Sequence, residues 1–428
     1  MARGDRPIKK EFSPSSCPSR KGFFFTIFSS LPRGIFTLSF FGLFLGMSTT
    51  MVYCQIGMFL KTELHATEAT VALVDGFIEF VSFICRVFAG VISDYLAERK
   101  LILLLGCCVT FFARSILATA STSFMVTLIQ SVERFGNGFQ ATTRDALIAD
   151  ISTVDNRGKS YGLSRSLKTI GSFLGIPLSI LIMYLSGNNY RLVFLCSAFP
   201  VLLSIFCLMK IKVSTGEKRT SKKIENPFQK KYLSSLDRVF WKILLLDFLF
   251  ELGHFSETLL PIYASKYLSR TTTGSESMFV SLGQVLLSFP VGLYADRFGR
   301  NLLIKICMGT MIFANISFIF IPSIVGVYLG AFLWGGQMTA IQGLFLSLIS
   351  ERVDTHIRAT AIGLYYCVIG VAFLLASAIA GHIWTGCGEQ YAFIYSLVVS
   401  CIALCLTQVL LPKEKKARRR HRATSVPF

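Results

Sequence analysis

Charged residues are scarce in this chain of 428 residues. Asp, Glu, Lys and Arg make up 16% of it, whereas a soluble protein of this length is usually about a quarter charged. Hydrophobic residues make up 53%, and they are grouped into blocks near the ~20 residues that a helix needs to cross a hydrocarbon layer roughly 30 Å thick. The shortage of charge argues against a soluble protein, and the blocks predict an integral membrane protein built from α-helices.

Acidic residues are the scarcer charge, with 24 Asp and Glu against 43 Lys and Arg and a net charge of +19. A basic excess can indicate nucleic-acid binding, so the location of the cations matters. They are concentrated in the two tails and in one central segment, where positive charge sets membrane topology and attracts anionic lipid headgroups. The sequence therefore predicts membrane lipid as a partner and no nucleic acid.

Motifs for catalysis and for metal binding are missing. The sequence has no HExxH, GxSxG or Walker loop, and its 12 cysteines form neither CxxC pairs nor a disulfide framework. Most of the cysteines lie inside apolar runs. We therefore predict that the protein is not an enzyme and that it holds no cofactor and no metal.

Polar breaks divide the apolar blocks into twelve predicted spans. They are 35–61, 68–96, 101–120, 123–150, 160–186, 190–210, 239–265, 275–297, 301–322, 324–350, 359–384 and 390–411. Short breaks such as 186–190 fit tight hairpins, whereas the polar, basic break 211–238 is long enough to link two halves. The sequence predicts an N-terminal tail (1–34), a six-helix half (35–210), a linker (211–238), a second six-helix half (239–411) and a C-terminal tail (412–428).

Lys and Arg are distributed unevenly between the two ends of the predicted spans. With the N-terminus inside, the cytoplasmic side receives both tails, the linker and most of the cations of the short loops, and the other side keeps few. This bias and the even number of spans predict a multi-pass protein of the cell's inner membrane with both termini cytoplasmic. The first 34 residues are too long and too charged for a cleaved signal, so we expect a retained tail.

The two predicted halves share a repeated pattern. Three pairs recur at almost one spacing, namely Asp94 with Asp296 (296 − 94 = 202), Asp150 with Glu351 (351 − 150 = 201) and Arg157 with Arg358 (358 − 157 = 201). Three pairs in order indicate an internal duplication. Six spans per half give the repeats the same orientation, which is typical of transporters whose substrate site lies between the halves.

Several of these segments resemble motifs of the major facilitator superfamily, and the resemblance extends over nearly the whole chain. "GLYADRFGRN" (292–301) closely matches the family signature G-x-x-x-D-R-x-G-R-[RK] between helices 2 and 3, and "GVISDYLAERK" (90–100) keeps part of it. "RFGNGFQA" (134–141) resembles the helix 4 motif. Gly162, Gly171 and Gly175 resemble the glycines of the helix 5 antiporter motif, and 144–175 is similar to a bacterial subgroup.

The resemblance implies a gating latch at the cytoplasmic ends of the helices. In the family, the motif carboxylate caps a helix of the other half and pairs with arginines of its own half, which holds one side of the protein shut. The corresponding residues here are Gly90, Asp94, Arg99, Lys100, Arg144 and Asp145 in the first half and Gly292, Asp296, Arg297, Gly299 and Arg300 in the second. Asp150 and Glu351 complete the two networks. The alternative is that these charges only set topology.

Charges deep inside predicted spans are costly and therefore indicate function. Asp247, Glu251 and His254 follow the spacing i, i+4, i+7, which places them on one face of a predicted helix 7, with Glu251 near mid-membrane. Several titratable groups on one face exceed what packing requires. This stripe predicts a proton-coupling or substrate site.

A second set of charges lies in the predicted helices 2, 3 and 4. It comprises Asp75, Glu79, Arg86, Arg114, Glu133 and Arg134. These residues could join the same cavity, or they could form internal ion pairs that fix helix packing, such as Glu79 or Glu133 with Arg114. The sequence leaves both interpretations open.

The sequence as a whole predicts a monomeric secondary active transporter of a small molecule, which works by alternating access and is coupled to protons. Efflux by antiport and nutrient uptake by symport or facilitated diffusion both remain open. A membrane receptor of the same fold is disfavoured, because the longest polar stretches are the tails and the linker.

Overall fold

The structure is a computed structural model that describes residues 32–95, 99–152, 156–211, 236–353 and 358–411. These residues are α-helical apart from short connections and one 3-10 turn, Thr273–Ser275. The helices are α1 (Arg33–Thr62), α2 (Glu68–Tyr95), α3 (Arg99–Leu117), α4 (Ser123–Ile151), α5 (Arg157–Leu185), α6 (Tyr190–Lys210), α7 (Arg238–Glu251), α8 (Leu259–Ala264), α9 (Glu276–Phe298), α10 (Arg300–Phe320), α11 (Ile324–Arg352), α12 (Arg358–Cys387) and α13 (Glu389–Leu410). The predicted all-α class is confirmed.

Eight helices within the described ranges are long and apolar enough to cross a membrane. They are α1, α3, α5, α6, α10, α11, α12 and α13. Large apolar side chains on their outer surfaces, such as Phe112, Phe199 and Phe313, are more than half exposed, as is expected of residues that face lipid. The chain is therefore organised as a multi-pass membrane protein.

The seventh predicted span, 239–265, is not one helix, and this corrects the prediction. The chain leaves α7 at Glu251 and becomes helical again only at Leu259, where α8 begins. Gly253 has a low helix propensity, and Pro261 has no N–H to donate to a preceding turn. Pro261 lies in the first turn of α8, where a missing N–H costs nothing. We call residues 252–258 the α7–α8 break.

Side chains of α13 form hydrogen bonds with backbone carbonyl groups of the α7–α8 break. The hydroxyl of Tyr395 donates to the carbonyl of Leu252 at 2.8 Å, and the hydroxyl of Ser396 donates to the carbonyl of Gly253 at 2.6 Å. Non-helical backbone at membrane depth is tolerated where such partners satisfy its polar groups. The break is therefore stabilised by the surrounding helices, and its side chains point into the helical bundle.

Glycines allow α1 and α5 to pack backbone against backbone. A Cβ atom at Gly171 would lie 1.9 Å from the carbonyl oxygen of Leu43, and one at Gly175 would lie 2.4 Å from that of Met47. Gly162, the third glycine of the helix 5 motif, has open space around it. Two of the three motif glycines are therefore explained by close helix packing.

Small residues also join α2 to α12. A Cβ atom at Gly76 would lie 2.8 Å from the Cβ of Ser377, and one at Gly381 would lie 2.8 Å from the Cβ of Ala72. Near the start of α2, the backbone N–H of Ala69 donates to the Thr385 hydroxyl at 3.0 Å. This long contact joins the first predicted half of the chain to the second.

Candidate functional site

The candidate site is a central cavity of about 280 Å³. Its walls come from α1, α2, α4, α7, the α7–α8 break, α11 and α12. The lining residues are Thr49, Thr50, Tyr53, Glu79, Phe83, Arg86, Arg134, Glu251, His254, Glu257, Met338, Gln342 and Phe373. Sequence positions as distant as 49 and 373 therefore meet at one polar cavity inside an apolar bundle.

A smaller cavity of about 20 Å³ adjoins it and shares Thr49, Tyr53 and Arg134 with it. Its other walls include Asp75 from α2, Arg114 from α3 and Glu133 from α4. The charges that the sequence identified in the predicted helices 2, 3 and 4 therefore do lie together, next to the groups from α7.

Two ion pairs organise these charges. Arg114 binds Glu133 at 2.5 Å, with both side chains 2% exposed, and Arg134 binds Glu79 at 2.9 Å. The Glu79 carboxylate therefore pairs with Arg134 and not with Arg114. Arg134 and Glu79 line the main cavity, whereas Arg114 and Glu133 lie behind it. Four of the six charges therefore form ion pairs, one of these pairs also faces the cavity, and the role of the set stays a prediction.

Glu251 and His254 lie in contact at the end of α7. The Nδ1 atom of His254 is 3.2 Å from a carboxylate oxygen of Glu251. The imidazole lies between Trp334 and Phe373, with ring centroids 5.1 and 5.9 Å away. His254 lies three residues after Glu251, the last residue of the helix, so the prediction that it belongs to a helical stripe is wrong. The turn that follows the helix nevertheless brings His254 into contact with Glu251.

Asp247 lies one turn before Glu251 but does not line the cavity. Its side chain is 1% exposed and is buried next to the phenol of Tyr365. A carboxylate so deeply buried is costly in its ionised form.

The α7–α8 break contributes residues that the sequence analysis missed. Ser256 donates to a carboxylate oxygen of Asp75 at 2.7 Å, and the Tyr53 hydroxyl donates to Glu257 at 3.2 Å. A continuous helix 7 would have carried these residues towards its outer end. The signal that could have revealed them is Gly253 and Pro261 on either side of "HFSETLL".

The predicted gating residues are described in part. Arg144 binds Asp145 at 2.9 Å, and Arg300 forms an ion pair with Glu351. Lys100 instead donates to the backbone carbonyls of Met209 and Ile211, so it caps the end of α6. Gly299, with a φ of +89°, forms the sharp turn between α9 and α10.

The remaining predicted gating groups lie outside the part of the chain whose side chains the structure describes. They are Gly90, Asp94 and Arg99 in the first half, Gly292, Asp296 and Arg297 in the second half, and Asp150. Their roles stay predictions. Within the described residues, no group of three or more His, Cys, Asp or Glu side chains is arranged to hold a metal ion.

An all-helical membrane protein with a charged central cavity has the architecture expected of a solute transporter. The sequence profile of the Major Facilitator Superfamily matches residues 38–356 and 254–426. The chain belongs to this superfamily, and it is a membrane transporter of the major facilitator type.

Individual relatives agree with this assignment. An uncharacterized MFS-type transporter of Methanocaldococcus jannaschii is 26% identical over 384 residues, which cover 87% of this chain and 94% of the relative. The crystal structure of the nucleoside transporter NupG superimposes with a TM-score of 0.70 at 14% identity, covering 89% and 98% of the two chains. The D-xylose–proton symporter gives a TM-score of 0.66 at 15% identity, covering 89% and 98%. The two solved structures share the fold.

Proposed function

We propose that the protein is a secondary active transporter that moves a small solute through the central cavity by alternating access. The observation that carries this proposal is the cavity itself, which is lined by α1, α2 and α4 on one side and by α7, the α7–α8 break, α11 and α12 on the other. We further propose twelve spans in two six-helix halves, 35–210 and 239–411, with the cavity between them.

Contacts between the proposed halves support a conformation that is closed at the end of the bundle away from the termini. The Thr271 hydroxyl donates to the side-chain oxygen of Asn188 at 2.8 Å. Deeper in the bundle, the Ser256–Asp75 and Tyr53–Glu257 hydrogen bonds connect the same two halves. With both termini cytoplasmic, as the distribution of Lys and Arg predicts, this is the inward-facing state.

The opposite end carries the proposed gating latch. The Arg144–Asp145 and Arg300–Glu351 ion pairs lie there and support the idea that arginines and carboxylates of each half are arranged as networks. In the outward-facing state, Asp94 and Asp296 would each cap a helix of the other half. The latch would then hold the cytoplasmic end shut.

Protons are the proposed coupling ion, and Glu251 is the proposed carrier. Its carboxylate is in contact with His254 and lines the cavity, so both groups can exchange protons with whichever side the cavity faces. One of the solved structures with the same fold is a D-xylose–proton symporter, which is compatible with this coupling. The direction of transport, efflux or uptake, remains open, and a facilitator without coupling is the alternative.

Flux measurements in proteoliposomes test the proposal. Purified protein is reconstituted, a proton gradient is imposed in either direction, and a compound panel is screened for gradient-driven accumulation. Glu251→Gln, which keeps the shape of the side chain but cannot ionise, should abolish accumulation while sparing exchange of solute across the membrane. Glu389→Gln, at an ion pair with Lys266 outside the cavity, is the matched control and should transport as wild type does.

Three outcomes of this screen separate the alternatives. Accumulation that follows the gradient supports coupled transport, and its direction decides between uptake and efflux. Equilibration that ignores the gradient indicates a facilitator. If Glu251→Gln accumulates solute with the pH dependence of wild type, Glu251 is not the carrier, and Glu133 and Asp75 become the next groups to test.

A further inference from the structure

The charged groups of the central cavity are mostly paired with one another. Arg134 pairs with Glu79, and His254 contacts Glu251. Two charged residues of the lining then remain without an oppositely charged partner among the described residues, namely Glu257 and Arg86. The cavity therefore offers a solute one carboxylate and one guanidinium.

Glu257 is an acceptor that its surroundings do not satisfy. The residue is 8% exposed and accepts a hydrogen bond from the neutral hydroxyl of Tyr53 at 3.2 Å, with the indole of Trp334 and the imidazole of His254 as its other polar neighbours. Its second carboxylate oxygen is buried without a hydrogen-bond partner within the described chain. A buried carboxylate in this condition is costly, and a cationic group in the cavity would offset that cost.

Arg86 provides the complementary charge at the other end. Its guanidinium is exposed and lies over the rings of Phe83 and Tyr366, 5.0 and 5.8 Å from their centroids. Stacking of this kind holds the planar group in place and leaves its N–H donors free to bind a carboxylate. Phe83 and Phe373 supply apolar wall between the two charges.

The positions of Glu257 and Arg86 can be compared along the axis of α2. Ser256, the neighbour of Glu257, contacts Asp75, and Arg86 follows Asp75 by 11 residues (86 − 75 = 11) in the same helix. Eleven residues correspond to about 16 Å along a helix axis. Because the Arg86 side chain is long, the distance between the two charged groups is shorter than this rise. The charges of a complementary solute must therefore lie several bonds apart, farther than in an α-amino acid.

We infer that the transported solute is a small ampholyte, with a cationic amine that binds Glu257 and a carboxylate that binds Arg86, joined by an apolar chain or ring. This inference rests on the proposed transport function and names the substrate class of the same cavity. Each charge-assisted contact would contribute about tenfold or more to affinity.

Binding to purified protein in nanodiscs, without any gradient, tests the inference. The probes are ω-amino acids of increasing chain length, from glycine to aminooctanoate, together with the alkylamine and the alkanoate of each length. We expect the longer amino acids to bind about tenfold or more tightly than glycine and than either single-charge probe of the same length.

Substitutions assign each charge to its partner. Glu257→Gln should reduce binding of the amino acid to the level of the alkanoate, and Arg86→Gln should reduce it to the level of the alkylamine. Arg86→Glu, at an exposed position that tolerates exchange, should shift the preference to the α,ω-diamine. Glu389→Gln is the control and should leave all preferences unchanged.

Several results would overturn the inference. They are equal binding of the three probe types, no binding of any amino acid in the series, or a preference that survives both Glu257→Gln and Arg86→Gln. Failure of this inference can be distinguished from failure of the transport proposal. Flux of a solute that shows no charge preference would refute the ampholyte alone, whereas the binding preference without flux would refute transport alone.

Discussion

Arg114 and Glu133 form the most deeply buried ion pair that the structure describes. Both side chains are 2% exposed, and Asn137 donates a further hydrogen bond to the same carboxylate oxygen at 3.3 Å. The pair joins α3 to α4 directly behind the cavity. Removal of one partner from such a pair leaves an uncompensated buried charge, which is far more costly than loss of an exposed pair.

Glu133→Gln should therefore lower the free energy of unfolding by about 3–5 kcal/mol, because Arg114 would keep its charge and lose its counter-ion. Thermal unfolding in detergent, with membrane abundance as a second readout, measures the effect. Glu68→Gln is the matched control, because its pair with Lys61 is partly exposed and should contribute less than about 1 kcal/mol. Equal unfolding temperatures for the two variants would show that the buried pair has no special structural role.

Single charged residues were the part of the site that the sequence predicted best. A charge within an apolar run is costly, so Glu79, Glu133, Arg114 and Arg134 were identifiable without any structure. Their pairing was not predictable, because it depends on how helices α2, α3 and α4 are rotated against one another. The sequence thus allowed Arg114 to pair with either glutamate, and the packing selects Glu133.

The α7–α8 break shows where helix prediction from hydropathy fails. Residues 252–258 are largely polar, but apolar residues on both sides merge them into one predicted span, and locally only Gly253 and the nearby Pro261 disfavour a helix. The break is stabilised by Tyr395 and Ser396, which are more than 130 positions away in the chain. Because those partners are distant, a local pattern cannot reveal that the freed carbonyl groups are satisfied.

Glycines in the helix pair α1–α5 could be identified as a motif, but their partner could not. Gly171 and Gly175 lie against the backbone of α1, whereas Gly162 of the same motif has open space. Sequence spacing places all three glycines on α5 and gives no information about which of them another helix approaches. That distinction makes the α1–α5 contact a place where a single methyl group should matter.

Gly171→Ala should destabilise the protein by about 1–3 kcal/mol or more, because the added Cβ would lie 1.9 Å from the backbone carbonyl of Leu43 and α1 would have to move. Gly309→Ala in α10 is the matched control. It meets no atom within 4 Å and should leave stability unchanged or raise it by about 0.5–1 kcal/mol through helix propensity. Unfolding temperatures of both variants in detergent check the pair, and a stable Gly171→Ala protein would contradict the close packing.

The overall architecture follows from one physical constraint, which is that backbone polar groups within a membrane must be paired inside the protein. This constraint and the apolar blocks were sufficient to predict the all-α class. How the helices surround a cavity depends on contacts such as those of Gly76 and Gly381 between α2 and α12, and no local pattern encodes these contacts. The fold of the chain was therefore predictable to the level of the superfamily, and the helix contacts that shape the cavity were not.

Alternating access requires the contacts between the proposed halves to break in every cycle. Asn188, in the connection between α5 and α6, and Thr271, before the 3-10 turn, form such a contact through their side chains. Cysteines at both positions, in a background without other cysteines, should react with a short bifunctional thiol reagent and become cross-linked. The cross-link should arrest transport in proteoliposomes. If the reagent contains a disulfide, a reductant that cleaves this disulfide should restore transport.

The same cysteines test the orientation of the protein in intact cells. Both positions are expected outside, so an impermeant thiol reagent should label them, whereas a cysteine in the linker 211–238 should be protected. Each single-cysteine variant controls for local effects, including strain at Asn188, whose φ of +67° favours Asn. Full transport by the cross-linked protein would show that this end need not open. Labelling of the linker from outside would reverse the proposed topology, and the state in the structure would then be outward-facing.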